Sequence, residues 1–258
     1  MDINLLYSGA GVLVGLLVGL TGVGGGSLMT PLLVLAFGFH PATAVGTDLL
    51  YASATKSVGT GIHGLKGTVD WKIVRRMAIG SVPATTLTLL ALSYSHVETK
   101  SVGAMLATIL GTVLVLTAIA ILFRKRLVDA LAPRFARLGD RRIGHATIAL
   151  GALLGVMVSL TSVGAGALGM TALLILYPHL PVNRLVGSDI AHAVPLTLIA
   201  GAGHWAMGSV DIGLLLSLLL GSVPGIIIGS LLSSRTSDRI LTPILAATLA
   251  LVGIKMLL

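Results

Sequence analysis

Apolar runs and short polar breaks alternate along the whole chain. Runs at roughly 4–20, 27–38, 44–63, 73–93 and 102–123 precede a polar stretch, 124–143. Five more follow, at roughly 144–160, 167–179, 185–204, 213–232 and 240–257. A membrane-crossing helix needs about 20 residues, within a range of about 17–25. Most runs reach that length, and none shows the period-two alternation of a membrane barrel. The pattern predicts an all-α, polytopic membrane protein.

The two short runs, 27–38 and 167–179, each follow a small-residue break. The first break is Thr21-Gly22-Val23-Gly24-Gly25-Gly26-Ser27; the second is Thr161-Ser162-Val163-Gly164-Ala165-Gly166-Ala167. Glycine is the costliest ordinary residue in a helix after proline, so these stretches predict unwound backbone opening short half-helices. Non-helical backbone is tolerated at membrane depth only inside protein or along a cavity. The count is eight spans plus half-helices if each break is a kink, or ten segments if each is a hairpin.

The halves repeat one another. Gly46-Thr47-Asp48 recurs 141 residues later as Gly187-Ser188-Asp189. The same spacing relates His63 to His204, Gly67-Thr68-Val69-Asp70 to Gly208-Ser209-Val210-Asp211, and Gly80-Ser81-Val82-Pro83 to Gly221-Ser222-Val223-Pro224. Matched Asp, His and Pro are uncommon in apolar sequence. The chain divides into a first repeat, 1–123, a basic linker, 124–143, and a second repeat, 144–258. Lys66, Lys72, Arg75 and Arg76 surround the third loop of the first half, while 205–213 has no Lys or Arg. Arg184, Arg235 and Arg239 fall in second-half loops whose counterparts are neutral or balanced. Cytoplasmic loops carry the Lys/Arg excess, so matching loops lie on opposite sides. Inversion requires an odd number of segments per half, which selects five plus five. The linker, with Arg124, Lys125, Arg126, Arg134, Arg137, Arg141 and Arg142, is then cytoplasmic, in a cell (inner) membrane, and both termini lie outside. Leu127, Leu131, Phe135 and Leu138 give it the spacing of a surface amphipathic helix broken near Pro133, or of a solvated tether.

Composition adds three constraints. Apolar residues make up 55% and charged residues 10%, against about 25% charged in soluble domains, and the mean hydropathy is +1.02. The net charge of +8 sits in short loops, so topology explains it without nucleic acid. There is no Cys, hence no disulfide or thiolate metal site.

Paired breaks in corresponding positions point to a transporter binding site at the midplane. Helix N-termini carry free N–H groups and partial positive charge, which suits a small anion. The candidate substrate-binding residues are Thr21, Gly22, Gly24, Gly25, Gly26 and Ser27 with Thr161, Ser162, Gly164 and Gly166; close helix packing is the competing use of the glycines. Asp48 and Asp189 are costly in a bilayer and suggest proton coupling, or they cap the helices they begin. Lys56, whose repeat partner is Thr197, is either a charge partner for an anion or aspartate, or snorkels to an interface. His63 and His204 serve gating or satisfy helix ends, with Asp70 and Asp211 capping the next helices. His192, aligned with Tyr51, is central or simply hydrogen-bonded; His40, His96, His145 and His179 fall at loops or interfaces. No metal, cofactor or catalytic constellation emerges, so the chain reads as a non-enzyme.

The run Gly19-Leu20-Thr21-Gly22-Val23-Gly24-Gly25-Gly26, then Pro31, then Gly46-Thr47-Asp48, resembles the TauE/SafE sulfite exporter family, also called TSUP. Gly187-Ser188-Asp189 and the His204, Gly208, Asp211 pattern extend the resemblance over the whole chain. It implies a membrane carrier for small sulfur-containing anions such as sulfite, sulfoacetate and related organosulfonates. Ala165 and Ala167 depart from a full glycine run, and the lack of Cys disfavours the family's cysteine-dependent thiosulfate branch. The expected activity is export by alternating access with the site between the breaks. A cation or proton-coupled carrier using Asp48 and Asp189, or an anion channel, remains the alternative. The expected partners are a small anionic substrate and the bilayer, with a homodimer left open.

Overall fold

A computed structural model describes residues 4–21, 26–94, 99–232 and 238–258. Every regular element among them is helical: α1 Leu5–Thr21, α2 Gly26–Leu35, α3 Pro41–Leu65, α4 Trp71–Tyr94, α5 Thr99–Leu122, α6 Arg124–Phe135, α7 Asp140–Thr161, α8 Ala167–Leu176, α9 Val182–Ala206, α10 Ile212–Leu232 and α11 Asp238–Leu257. Within the described residues, Trp71–Tyr94, Gly103–Leu122, Asp140–Thr161 and Val182–Ala206 are long and apolar enough to cross a membrane. Large apolar side chains such as Leu87, Leu116, Leu153, Leu198 and Leu220 cover the outside, as lipid contact requires. The protein is a multi-pass, all-α membrane protein.

The second break is a hairpin. The Tyr177 hydroxyl, just past α8, meets Thr147 Oγ1 at 2.8 Å and accepts from Arg76 Nη1 at 3.3 Å. Thr147 lies in the second turn of α7, so α8 and residues 177–181 carry the chain back to the end where α7 began. The first half does the same with rings: Tyr7 near the start of α1 packs edge-on against Phe37 and Phe39, which follow α2, at 5.2 and 5.6 Å. Each half therefore runs as five segments.

Pairings between helices survive exchange of the halves. α1 lies along α10 as α7 lies along α4, while α3 packs on α9 and α5 on α11. Small residues make these approaches possible. A Cβ on Gly11 would fall 2.4 Å from the Leu218 carbonyl oxygen, and one on Gly151 would fall 2.1 Å from that of Met77; the two contacts are repeat equivalents. α3 and α9 run antiparallel, with Gly46 against His204 and Ser209, Gly201 against Leu50, and Gly59 against Ile190. That register sets Thr55 opposite Leu196, its counterpart at the 141-residue spacing, with Lys56 next to it in the middle of the α3/α9 pair.

The linker forms α6, which packs against α8 and α5. Leu127, Leu131, Phe135 and Leu138 are partly buried while Lys125, Arg126, Arg134 and Arg137 are exposed, as amphipathic spacing predicts. The helix continues through Pro133 to Phe135 rather than breaking there. At the same end Asp140 joins Lys72 Nζ (3.0 Å) and Arg76 Nη2 (2.6 Å). This clamps the start of α7 to α4.

Candidate functional site

α3 and α9 form the centre because their sequences are small and mixed rather than uniformly apolar. Residues 44–49 of α3 are all buried, including Thr47 and Asp48, and α9 buries Ser188, Asp189, His192, Thr197 and His204.

Asp48 and Asp189 do not cap their helices. α3 begins at Pro41 and α9 at Val182, so both aspartates stand about two turns in, each at most 3% exposed. The apolar runs concealed this because Pro41-Ala42-Thr43 and Val182-Asn183-Arg184 read as loop. The capping that sequence assigned to Asp70 and Asp211 does occur: Asp70 Oδ1 accepts from Lys72 N–H at 3.1 Å, and Asp211 Oδ1 from Leu214 N–H at 2.9 Å.

The repeated Gly-Thr/Ser-Asp unit has a division of labour. A Cβ on Gly46 would lie 2.2 Å from the Ser209 carbonyl oxygen, and one on Gly187 would lie 2.5 Å from that of Thr68. Only glycine admits these approaches without movement. Thr47 Oγ1 then accepts the Asp211 N–H at 3.1 Å, and Ser188 Oγ accepts the Asp70 N–H at 2.8 Å. Each repeat thus latches the turn between two helices of the other, at opposite ends of the α3/α9 pair. The third residue of the unit, aspartate, turns into the core.

Around Asp48, the Thr30 hydroxyl donates to Oδ2 at 2.5 Å. Oδ1 has no hydrogen-bond partner among the described residues, nor has Ser162 Oγ, although the two side chains face one another. Lys56, 8% exposed, does not snorkel. Its Nζ donates to the Ala165 carbonyl in the second break at 3.4 Å and lies in the field of both Asp189 and Asp48. His192 is completely buried, pairs through Nε2 with Ser81 Oγ at 2.9 Å, and also lies in the field of Lys56. Asp189 is seated against Gly169, where a Cβ would fall 2.5 Å from Oδ1, and that oxygen too lacks a partner among the described residues. Two buried carboxylates therefore share the field of one buried ammonium near the middle of the α3/α9 pair.

The second break is completely packed, residues 161–167 all being buried. Ser162 takes the left-handed conformation (φ 58°), and Gly164 and Gly166 have φ of 119° and 116°, which are accessible to glycine and strained for other residues. The N–H groups of Gly164, Ala165 and Gly166 donate to no backbone carbonyl among the described residues. They sit at the N-terminus of α8, beside Lys56. Thr161, taken from sequence as a substrate hydroxyl, is engaged by the break itself: it accepts from Val163 N–H at 3.1 Å and donates to Met157 O at 2.7 Å. Of the first break, Gly22, Gly24 and Gly25 lie outside the described residues. Thr21, Gly26 and Ser27 lie at helix ends whose side chains are likewise outside that description.

His63 and His204 do sit in the last turns of their helices, in different settings. His63 Nδ1 meets Thr68 Oγ1 at 2.8 Å, whereas the fully buried His204 donates from Nε2 to Ser159 O at 2.8 Å. Sequence reasoning missed Thr30, which looked like filler in an apolar run. It also missed Ser81, although the recurrence of Gly80-Ser81-Val82-Pro83 was the available signal. Among the described residues, no group of three or more His, Asp or Glu is arranged to hold a metal.

The comparisons agree with this architecture. The family model described as Sulfite exporter TauE/SafE matches residues 7–256. The chain is 42% identical over 221 residues to the probable membrane transporter protein YjnA of Bacillus subtilis (strain 168), covering 85% of each chain. A shorter match, 43% identical over 58 residues, covers 22% of this chain and 21% of the probable membrane transporter protein YunE of the same organism. No solved structure matches. From its first helix to its last, this chain belongs to the sulfite exporter TauE/SafE family of membrane transporters.

Proposed function

We propose that the protein carries small sulfur-containing oxyanions, sulfite or a short organosulfonate, out of the cell by alternating access. One observation carries the reading: the buried Lys56 ammonium reaches the second break, where the N–H groups of residues 164–166, just before α8, have no backbone acceptor among the described residues. A monoanion there meets one full positive charge and several oriented donors, the arrangement that suits charge-assisted oxyanion binding. A fully divalent anion such as sulfate is disfavoured, because Asp48 and Asp189 already place negative charge nearby. The first break, Thr21 to Ser27, is proposed to close the site from the opposite repeat. The proposed division into repeats 1–123 and 144–258 about the linker 124–143 is supported by the exchangeable helix pairings and by the antiparallel course of α3 and α9.

We also propose that the repeats are inverted across the cell membrane, with the α6 and Asp140 end in the cytoplasm and both termini outside. The basic bias of that end supports this orientation. Opening then alternates between the Thr47–Asp211 and Ser188–Asp70 latches. The test is counterflow of labelled sulfite into liposomes holding the purified protein and unlabelled sulfite. Saturable counterflow that falls to background in Lys56→Met supports the carrier. Flux without counterflow indicates a channel, and equal counterflow in Lys56→Met refutes the placement of the site.

A further inference from the structure

The two carboxylates beside Lys56 are repeat equivalents, yet their oxygens are served differently. Asp189 shares the field of Lys56 and rests on the Cα of Gly169, with no hydroxyl donating to it among the described residues. Asp48 has two hydroxyls. Thr30 donates to Oδ2, and the Ser162 hydroxyl, 4% exposed, faces the carboxylate with no hydrogen bond made elsewhere among the described residues. Neither position of the pair is reproduced in the other repeat, where Met170 and Gly22 stand at the places of Thr30 and Ser162.

We infer that Asp48 is a proton-binding site of the transport cycle, its proton carried on Oδ1 and donated to Ser162 Oγ. The inference rests on the anion-carrier reading and adds its coupling ion. When water reaches the site, the carboxylate takes a proton from hydronium and leaves water; release on the other side reverses the step. The protonated acid completes the hydrogen bonding: Oδ2 accepts from Thr30 while Oδ1–H donates to Ser162. Buried polar atoms are costly when left unpaired, and a buried carboxylate more so.

Charge ties this proton to the substrate. With Asp48 neutral, Lys56 and Asp189 cancel, and a bound monoanion leaves one net negative charge. With Asp48 ionised, the same anion would leave two in a low-dielectric site, where like charges repel strongly. Proton and anion therefore favour one another and move in the same direction. The groups facing Asp48 are few. Lys56 and Tyr51 come from its own helix. α2 contributes Thr30, and the second break contributes Ser162. α9 sets His204 against Gly46, two residues away, and the turn before α10 sets Asp211 against Thr47.

The test uses the full chain in liposomes with a trapped pH dye. An outward gradient of a short alkanesulfonate, which carries no titratable proton of its own near neutral pH, is expected to carry protons outward, and an imposed pH gradient to drive its accumulation. In Asp48→Asn, which imitates the protonated acid, measurable counterflow is expected to persist without dependence on pH, while both coupled readouts are lost. Ser162→Ala, which keeps the acid, is expected to shift the pH of half-maximal counterflow. Proton movement surviving in Asp48→Asn, or accumulation that follows a sodium gradient instead, overturns the inference. Wild-type protein without counterflow refutes the anion reading instead. The proton site is then judged by infrared titration of the purified protein: the C=O stretch of a protonated carboxylic acid should vanish in Asp48→Asn. A band that vanishes in Asp189→Asn instead overturns the assignment.

Discussion

The surroundings of Asp48 and Asp189 show how a duplicated chain becomes asymmetric at its centre while staying symmetric at its edges. The edges match: Gly46 and Gly187 make the same close approach, and Thr47 and Ser188 accept equivalent N–H groups. At the centre, Lys56 stands where the other repeat has Thr197, and Thr197 merely returns its hydroxyl to Ala193 O at 2.8 Å. One lysine in the middle of the α3/α9 pair lies in the field of both carboxylates, and a second would be redundant charge. On the proposed mechanism, symmetry suits the latches, which would work alternately, and asymmetry suits a site for one anion.

The largest effect is expected from Lys56→Met. Removing one partner of a buried charge group leaves the others uncompensated, at a cost of about 3–5 kcal/mol. Both transport and the denaturation midpoint in detergent should fall. Adding Asp189→Asn should restore most of the stability but none of the transport. If Asp48→Asn restores stability better than Asp189→Asn, the ranking of the two carboxylates around Lys56 is wrong.

The fold was largely legible because bilayer length and glycine breaks leave strong marks. All ten apolar runs became helices, and the linker's leucine spacing gave α6. The site was legible in part. Lys56, Asp48 and Asp189 stood out as charges inside apolar sequence, but periodicity does not say that they converge. Convergence depends on the antiparallel register of α3 and α9, set by backbone approaches at Gly46 and Gly187. Thr30 was invisible for a related reason: a lone Thr in an apolar helix most often bonds its own preceding turn, as Thr171 does to Ala167 O. Only the proximity of Asp48 gives Thr30 another role.

Next in size are Gly46→Ala and Gly187→Ala. Each new Cβ must displace a carbonyl of the opposite repeat, and overpacking of this kind costs about 1–3 kcal/mol. The midpoints should fall by similar amounts in both variants, since the geometry is equivalent. A fall in only one would show that the edges are less symmetric than their contacts. A smaller and asymmetric pair is Thr30→Val against Gly169→Ala. Loss of the Thr30 donor leaves Asp48 less satisfied, for about 1–3 kcal/mol, and should alter the pH dependence of counterflow. Gly169→Ala should push Asp189 aside, and its effect should fall on substrate affinity through Lys56.

The smallest effects are expected at the latches themselves. Thr47→Val and Ser188→Ala each remove one acceptor from a backbone N–H, worth about 0.5–1.5 kcal/mol where water can replace it. Water is near in both cases, because Asp211 is exposed and Asp70 is only partly buried. Stability should therefore change little. Transport should change in opposite senses, since the two latches close opposite ends of the same pair of helices. Weakening one favours the conformation open at that end, and an equilibrium shifts only by the free energy that distinguishes its two states. A cysteine placed beside each latch, probed with a membrane-impermeant thiol reagent from either side of oriented vesicles, reads that shift directly. Labelling should rise from one side in Thr47→Val and from the other in Ser188→Ala. A rise from the same side in both would mean that the two repeats do not face opposite sides of the membrane.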